Sequence, residues 1–157
     1  GGVEKRFNVK HWKSIQDREV AFATLANTNF FYELEAFDEA NKIIDYVKKA
    51  TKLYNTNWGI CSSPLRGDTM NSSYWKRRLE DKFFTPDLVE DMIFTSNKHK
   101  YALNTLTRKP NILIDDKPEN IRRWKEAGGI GIRFQTNEDD LEEYLFVEIE
   151  KALIECQ

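Results

Sequence analysis

Four short apolar runs, at residues 58–62, 92–95, 111–115 and 130–134, alternate with stretches of helical spacing. No other feature constrains the fold as much. Parallel neighbours cannot be joined by a tight turn, so each strand needs a crossover, usually a helix, before the next. Strands separated by helices therefore read as an α/β fold with a parallel sheet. The helical stretches fall at residues 10–26, 37–54, 74–84, 101–106, 118–127 and 138–154. In the second, Ala40, Ile43, Ile44, Val47 and Ala50 recur at helical spacing. Gly128-Gly129 suits a helix C-cap followed by a strand start. Thr136 or Asn137 is the expected cap of the last helix. A chain of 157 residues with no repeat, linker or low-complexity segment is expected to be one domain.

The third run ends in an unusual way. Asn111-Ile112-Leu113-Ile114 leads into Asp115-Asp116, and Lys117-Pro118 then turns the chain. Adjacent carboxylates repel, so each needs a cation, a proton or hydrogen-bond donors nearby. In open α/β sheets, ligands sit at the carboxyl ends of the strands. The pair reads as a divalent-metal or phosphate site, or as a strand-to-helix turn with Asp116 as the helix cap. Two other strand ends carry complementary chemistry. Ile60-Cys61-Ser62-Ser63-Pro64-Leu65-Arg66-Gly67 places two hydroxyls and several backbone N–H groups after a strand. That is a phosphate cradle or an ordinary Ser-Pro turn. Lys98 follows the run 92–95 closely enough for its ammonium to reach the same edge; beside Lys100 it also reads as a surface lysine.

Composition narrows the function classes. With 24 basic and 26 acidic residues and a net charge of -2, there is no electrostatic case for a nucleic-acid polymer. Lys76-Arg77-Arg78 and Arg122-Arg123 read as solvated helix faces. Cys61 and Cys156 are far apart, which argues against a disulfide framework and fits a reducing compartment such as the cytoplasm. No run approaches membrane length and no signal peptide is visible, so a soluble chain with no membrane partner is expected. His11 and His99 are too few and too separated to build a zinc site with the cysteines.

The order Ser62, Lys98, Asp115-Asp116 is similar to the second, third and fourth motifs of the haloacid dehalogenase superfamily of phosphatases. Longer strings resemble its 5'(3')-deoxyribonucleotidase branch. They are Asn29-Phe30-Phe31-Tyr32-Glu33-Leu34-Glu35, Ile60-Cys61-Ser62-Ser63-Pro64-Leu65 and Phe94-Thr95-Ser96-Asn97-Lys98. The fourth is Ile112-Leu113-Ile114-Asp115-Asp116-Lys117-Pro118-Glu119-Asn120-Ile121, followed by Trp124 and Ala127-Gly128-Gly129-Ile130-Gly131-Ile132. Ser62 stands where that family usually has Thr. The resemblance runs over residues 3–135. It implies a three-layer Rossmann-like fold with a small helical cap over residues 8–50 and the α/β core over residues 55–157. It also implies a Mg²⁺-dependent phosphatase that hydrolyses (deoxy)ribonucleoside monophosphates through an aspartyl-phosphate. On that reading Ser62 hydrogen-bonds a phosphoryl oxygen, backbone N–H groups near Ser63 complete the cradle, and Lys98 neutralises charge. Asp115 or Asp116 holds the metal, and Phe30, Phe31 and Arg66 line the substrate pocket.

The family's first motif, Asp-x-Asp-Gly-Val/Thr at the end of the first strand, is absent from these 157 residues. It would carry the nucleophile and the acid–base aspartate. In the family its strand lies centrally, between the hydroxyl-motif strand and the Asp-Asp strand. Asp68, in a loop, and Asp45, in a helix, are not convincing substitutes. The nucleophile is therefore expected upstream of Gly1. The alternative is a catalytically inactive relative that binds a nucleotide or a protein. Nucleobase, phosphate position and the choice between monomer and homodimer stay open.

Overall fold

The structure is a computed structural model that describes residues 2–10, 12–35, 38–83 and 92–157. In chain order its elements are α1 (Gly2–Phe7), a 3-10 turn at Trp12–Ser14, α2 (Arg18–Ala23), a 3-10 turn at Phe30–Glu33, α3 (Asp38–Leu53) and β1 (Ile60–Ser62). Then follow α4 (Thr69–Phe83), β2 (Met92–Phe94), a 3-10 turn at Lys98–Tyr101, β3 (Ile112–Asp115), α5 (Pro118–Glu126) and β4 (Ile130–Arg133). A π-helical turn at Leu141–Leu145 leads into α6 (Phe146–Glu155). The chain divides into two compact units, Gly1–Phe37 with Gly59–Ser96 and Asp38–Trp58 with Asn97–Gln157.

All four expected strands form, and they pair in parallel. β1 pairs with β2, Ile60 opposite Met92 and Ser62 opposite Phe94. β3 pairs with β4, Ile112 opposite Ile130 and Asp115 opposite Arg133. The architecture is mixed α/β with short parallel strands, compatible with the Rossmann-like expectation. Among the described residues the strands form two two-stranded sheets, and no ladder joins the pairs.

Three helical expectations need correction. The stretch 10–26 is not one helix: the Asp17 carboxylate accepts the Val20 N–H at 3.2 Å and starts α2 afresh. Asp caps helix starts because its side chain satisfies an N–H that has no intrahelical partner. Residues 101–106 are not a helix either. The Asn104 side-chain oxygen accepts the N–H groups of Leu106 and Thr107, each at 2.9 Å, and Leu103 bridges Pro110 instead. Short polar side chains that bond nearby backbone compete with a helix. The last helix is capped by Asp140, which accepts the Glu143 N–H at 2.7 Å, rather than by Thr136 or Asn137.

The second unit has a clear core built on both faces of β3. Leu113 packs with Ala102, Ile121 and Trp124, while Ile112 and Ile114 face a cluster of Ile132, Phe134, Leu145, Ile149 and Leu153. That is the two-residue alternation of a strand covered on both sides. α3 belongs to this unit and docks Ile43, Tyr46 and Val47 on the larger cluster. Tyr46 stacks on Phe146 at 3.9 Å and donates its hydroxyl to Glu150 at 2.8 Å; Tyr54 donates to the same carboxylate at 2.9 Å. Burial, and then the Glu150 carboxylate, push the Tyr46 phenol up to about 12. At the other end of β3, the Trp124 indole donates to the Asn111 carbonyl at 2.9 Å. Gly129 makes room for it: a Cβ there would stand 2.2 Å from the indole nitrogen. Among the described residues no helix is long and apolar enough to cross a membrane.

Candidate functional site

Ser62 ends β1, and its carbonyl accepts the Thr95 N–H at 2.9 Å, which ties it to the chain leaving β2. The loop beyond it is held from α4. Ser72, fully buried, accepts the Leu65 N–H at 2.9 Å and donates to the Asp68 carbonyl at 2.6 Å. Gly67 turns the loop at a φ of 82°, a left-handed conformation that glycine adopts without a Cβ penalty. Asp68 itself is 8% exposed, and its carboxylate accepts the Asn27 N–H at 3.0 Å and the Asn71 amide at 2.9 Å. It ties the start of α4 to the turn at Asn27. Lys76 reaches from α4 to the Ser62 hydroxyl at 3.3 Å and to the Ser63 carbonyl. Its ammonium also stands 4.6 Å from the centre of the Phe31 ring, a cation–π distance. Phe30 is buried and meets Phe31 edge to face at 5.3 Å, whereas Arg66 is exposed.

In the second unit, β3 delivers Asp115 into a buried ion pair. Lys98 donates to its Oδ2 at 2.7 Å, with side chains only 10% and 4% exposed. The same oxygen accepts the Asn120 amide at 3.0 Å. Oδ1 accepts the Lys117 N–H at 2.8 Å and the Asn120 amide at 3.2 Å. A carboxylate has about four acceptor positions, and these four contacts use them. The expected capping role thus shifts by one residue. Lys117 occupies the cap position of α5, and Asp115, not Asp116, takes its N–H. Asp116 is exposed, and its backbone carbonyl receives the Arg133 side chain at 3.4 Å.

The pair therefore divides its work. Magnesium takes oxygen ligands in a strict octahedral shell and binds through one or two carboxylates plus waters and substrate phosphate. Asp116 suits such an ion because it is exposed and adjacent to the buried charge pair. Asp115 is already committed to three donor groups, Lys98, the Lys117 N–H and the Asn120 amide. Among the described residues no group of three or more acidic, His or Cys side chains stands ready to hold a metal. The described residues thus offer one carboxylate of such a site.

Ser62 lies in the first unit, and Lys98, Asp115 and Asp116 lie in the second. Within its unit, Ser62 meets Ser63 and Lys76; within the other, Lys98 meets Asp115. Lys76 and Asn120 are the residues that sequence reasoning missed. Lys76 was read as part of a solvated basic run. Its signal is a position four residues after Ser72, on the same helix face as the buried hydroxyl that holds the loop. Asn120 had no signal beyond being a polar residue one turn into α5.

Comparison with known proteins points the same way. The chain is 32% identical over 101 residues, 64% of its length, to the human mitochondrial 5'(3')-deoxyribonucleotidase. It is 31% identical over the same length to the mouse mitochondrial 5'(3')-deoxyribonucleotidase. The match covers 40% of the human protein and 41% of the mouse protein, so the chain spans about two-fifths of these curated relatives. No protein-family model matches it.

Proposed function

We propose that this chain is part of a Mg²⁺-dependent phosphatase of the haloacid dehalogenase type, acting on (deoxy)ribonucleoside monophosphates. The observation that carries the reading is the buried Lys98–Asp115 pair beside an exposed Asp116 at the carboxyl end of β3. A lysine fixed against one carboxylate, with a second carboxylate open next to it, suits a dianionic phosphate and a metal. The similarity to two deoxyribonucleotidases selects nucleotides among phosphate esters.

Each residue then has a role. Ser62 donates its hydroxyl to a phosphoryl oxygen, with the Ser63 region as cradle. Lys98 places positive charge where an anionic nucleophile meets an anionic phosphate, and so lowers their repulsion in the transition state. Asp116 holds the metal, which when bound supplies further charge neutralisation. Lys76 joins the Ser62 loop to the Phe31 ring, so phosphate and nucleobase are read by connected groups. The nucleophilic and acid–base aspartates belong to the family's first motif, which these 157 residues do not contain.

Phosphate release from dUMP or dTMP by the full-length protein tests the reading. Turnover should need Mg²⁺, and Asp116→Asn should reduce it about 10²-fold or more, the scale of losing one preorganised electrostatic group. No turnover with any nucleoside monophosphate, or Asp116→Asn turning over like the parent, sinks it.

A further inference from the structure

The Asn120 amide spans both oxygens of the buried Asp115 carboxylate, at 3.0 and 3.2 Å. We infer that Asn120 is a positioning residue: it anchors the end of the Asp115 carboxylate and, through it, the place at which Lys98 presents its ammonium. The inference rests on the proposed phosphatase reading and deepens it.

The terminal torsion of an aspartate is broad, so a carboxylate held at one oxygen can turn about its own axis. Lys117 holds Oδ1 through its backbone N–H, and Lys98 holds Oδ2. Lysine is a flexible four-carbon stem with three rotatable donors, so it follows the oxygen rather than fixing it. Asn120 adds an anchor at the end of the carboxylate, against which the lysine can settle. It sits in the first turn of α5, and Pro118 opens that helix with its φ already set. Its position is therefore tied to a rigid element. One amide nitrogen almost equidistant from both oxygens holds the carboxylate end-on, while the Lys117 N–H and the Lys98 ammonium set its plane from the sides. Buried networks of this kind are effective only when every member is satisfied, and here all four acceptor positions of Asp115 are filled. Supporting residues that orient functional carboxylates at metal sites are worth about 10–100-fold in affinity or activity.

Lys98 gives a readout separate from turnover. A buried, hydrogen-bonded ammonium exchanges its protons slowly enough to be followed in ¹H–¹⁵N spectra of lysine side chains. Lys98→Met in the full-length protein identifies the resonance by its loss. Asn120→Ala should shift or broaden that resonance and reduce kcat for dUMP by about 10–100-fold, with KM changed by less than about twofold. Asn120→Leu keeps the side-chain size but removes the donor, and should behave like Asn120→Ala. An unchanged resonance together with parental kcat in either folded variant overturns the inference. If the full-length protein hydrolyses no nucleotide, the phosphatase reading fails, and the resonance alone still decides the role of Asn120: a shift upholds the positioning and an unmoved signal rejects it.

Discussion

Two lysines stand beside proposed phosphate-handling residues, and they are held in opposite ways. Lys98 is buried and meets the Asp115 carboxylate at 2.7 Å. Lys76 is half-buried on α4, where it meets the Ser62 hydroxyl, the Ser63 carbonyl and the Phe31 ring. The difference separates stability from recognition. A buried ion pair is strongly destabilising to break, because removing one partner leaves a charge with nowhere to go. A cation that bridges a loop and a ring can be lost with little cost to the fold.

Lys98→Met is the strongest way to test that contrast. It should lower stability by about 3 kcal/mol, measured by urea unfolding, since Asp115 keeps its other donors. It should also lower turnover by about 10²–10³-fold. A variant as stable as the parent would mean that the pair is not buried in solution. Ser72→Ala asks how far the Ser62 loop depends on the core. The part-buried Leu65 N–H would lose its acceptor, for a loss of about 1 kcal/mol. Lys76→Met should leave stability within about 0.5 kcal/mol and raise KM for a nucleoside monophosphate about tenfold. A large loss of stability there would erase the distinction between the two lysines.

The smallest effect concerns pH and the α3–α6 contact. The Tyr46 phenol is held neutral in the folded protein, up to about 12 against an ordinary value of 10.0. The folded state therefore keeps a proton that the unfolded chain gives up between those values. Its contribution is complete below pH 10.0 and declines as pH rises towards 12. Tyr46→Phe should flatten the alkaline fall in melting temperature; an unaltered slope would assign that fall to other groups.

The strands were legible because apolar runs bounded by Gly, Pro and Ser carry a strong signal, and all four formed. α3 was legible for the same reason, through its apolar face. Helix starts were less so. α4 begins at Thr69 rather than Tyr74 because its first turn, Thr69-Met70-Asn71-Ser72, is mostly polar, although Ser72 is fully buried. The failures at 101–106 and at Asp17 share a cause: Asn and Asp side chains captured nearby N–H groups, a contact no periodicity registers. At the site, residue types at strand ends pointed to Ser62, Lys98 and the Asp pair. They did not say which aspartate was committed, because that depends on Asn120 and on the Lys117 N–H. Nor did they reveal Lys76, which reaches the Ser62 hydroxyl from α4.

A crystal structure of the full-length protein with Mg²⁺ and phosphate tests the central claim most directly. The metal should bind an Asp116 oxygen at about 2.0–2.1 Å, with Asp115 still bonded to Lys98 and Asn120, and the phosphate should contact Lys98. A metal on Asp115 with the Lys98 pair broken, or a phosphate bound away from Lys98, would contradict it.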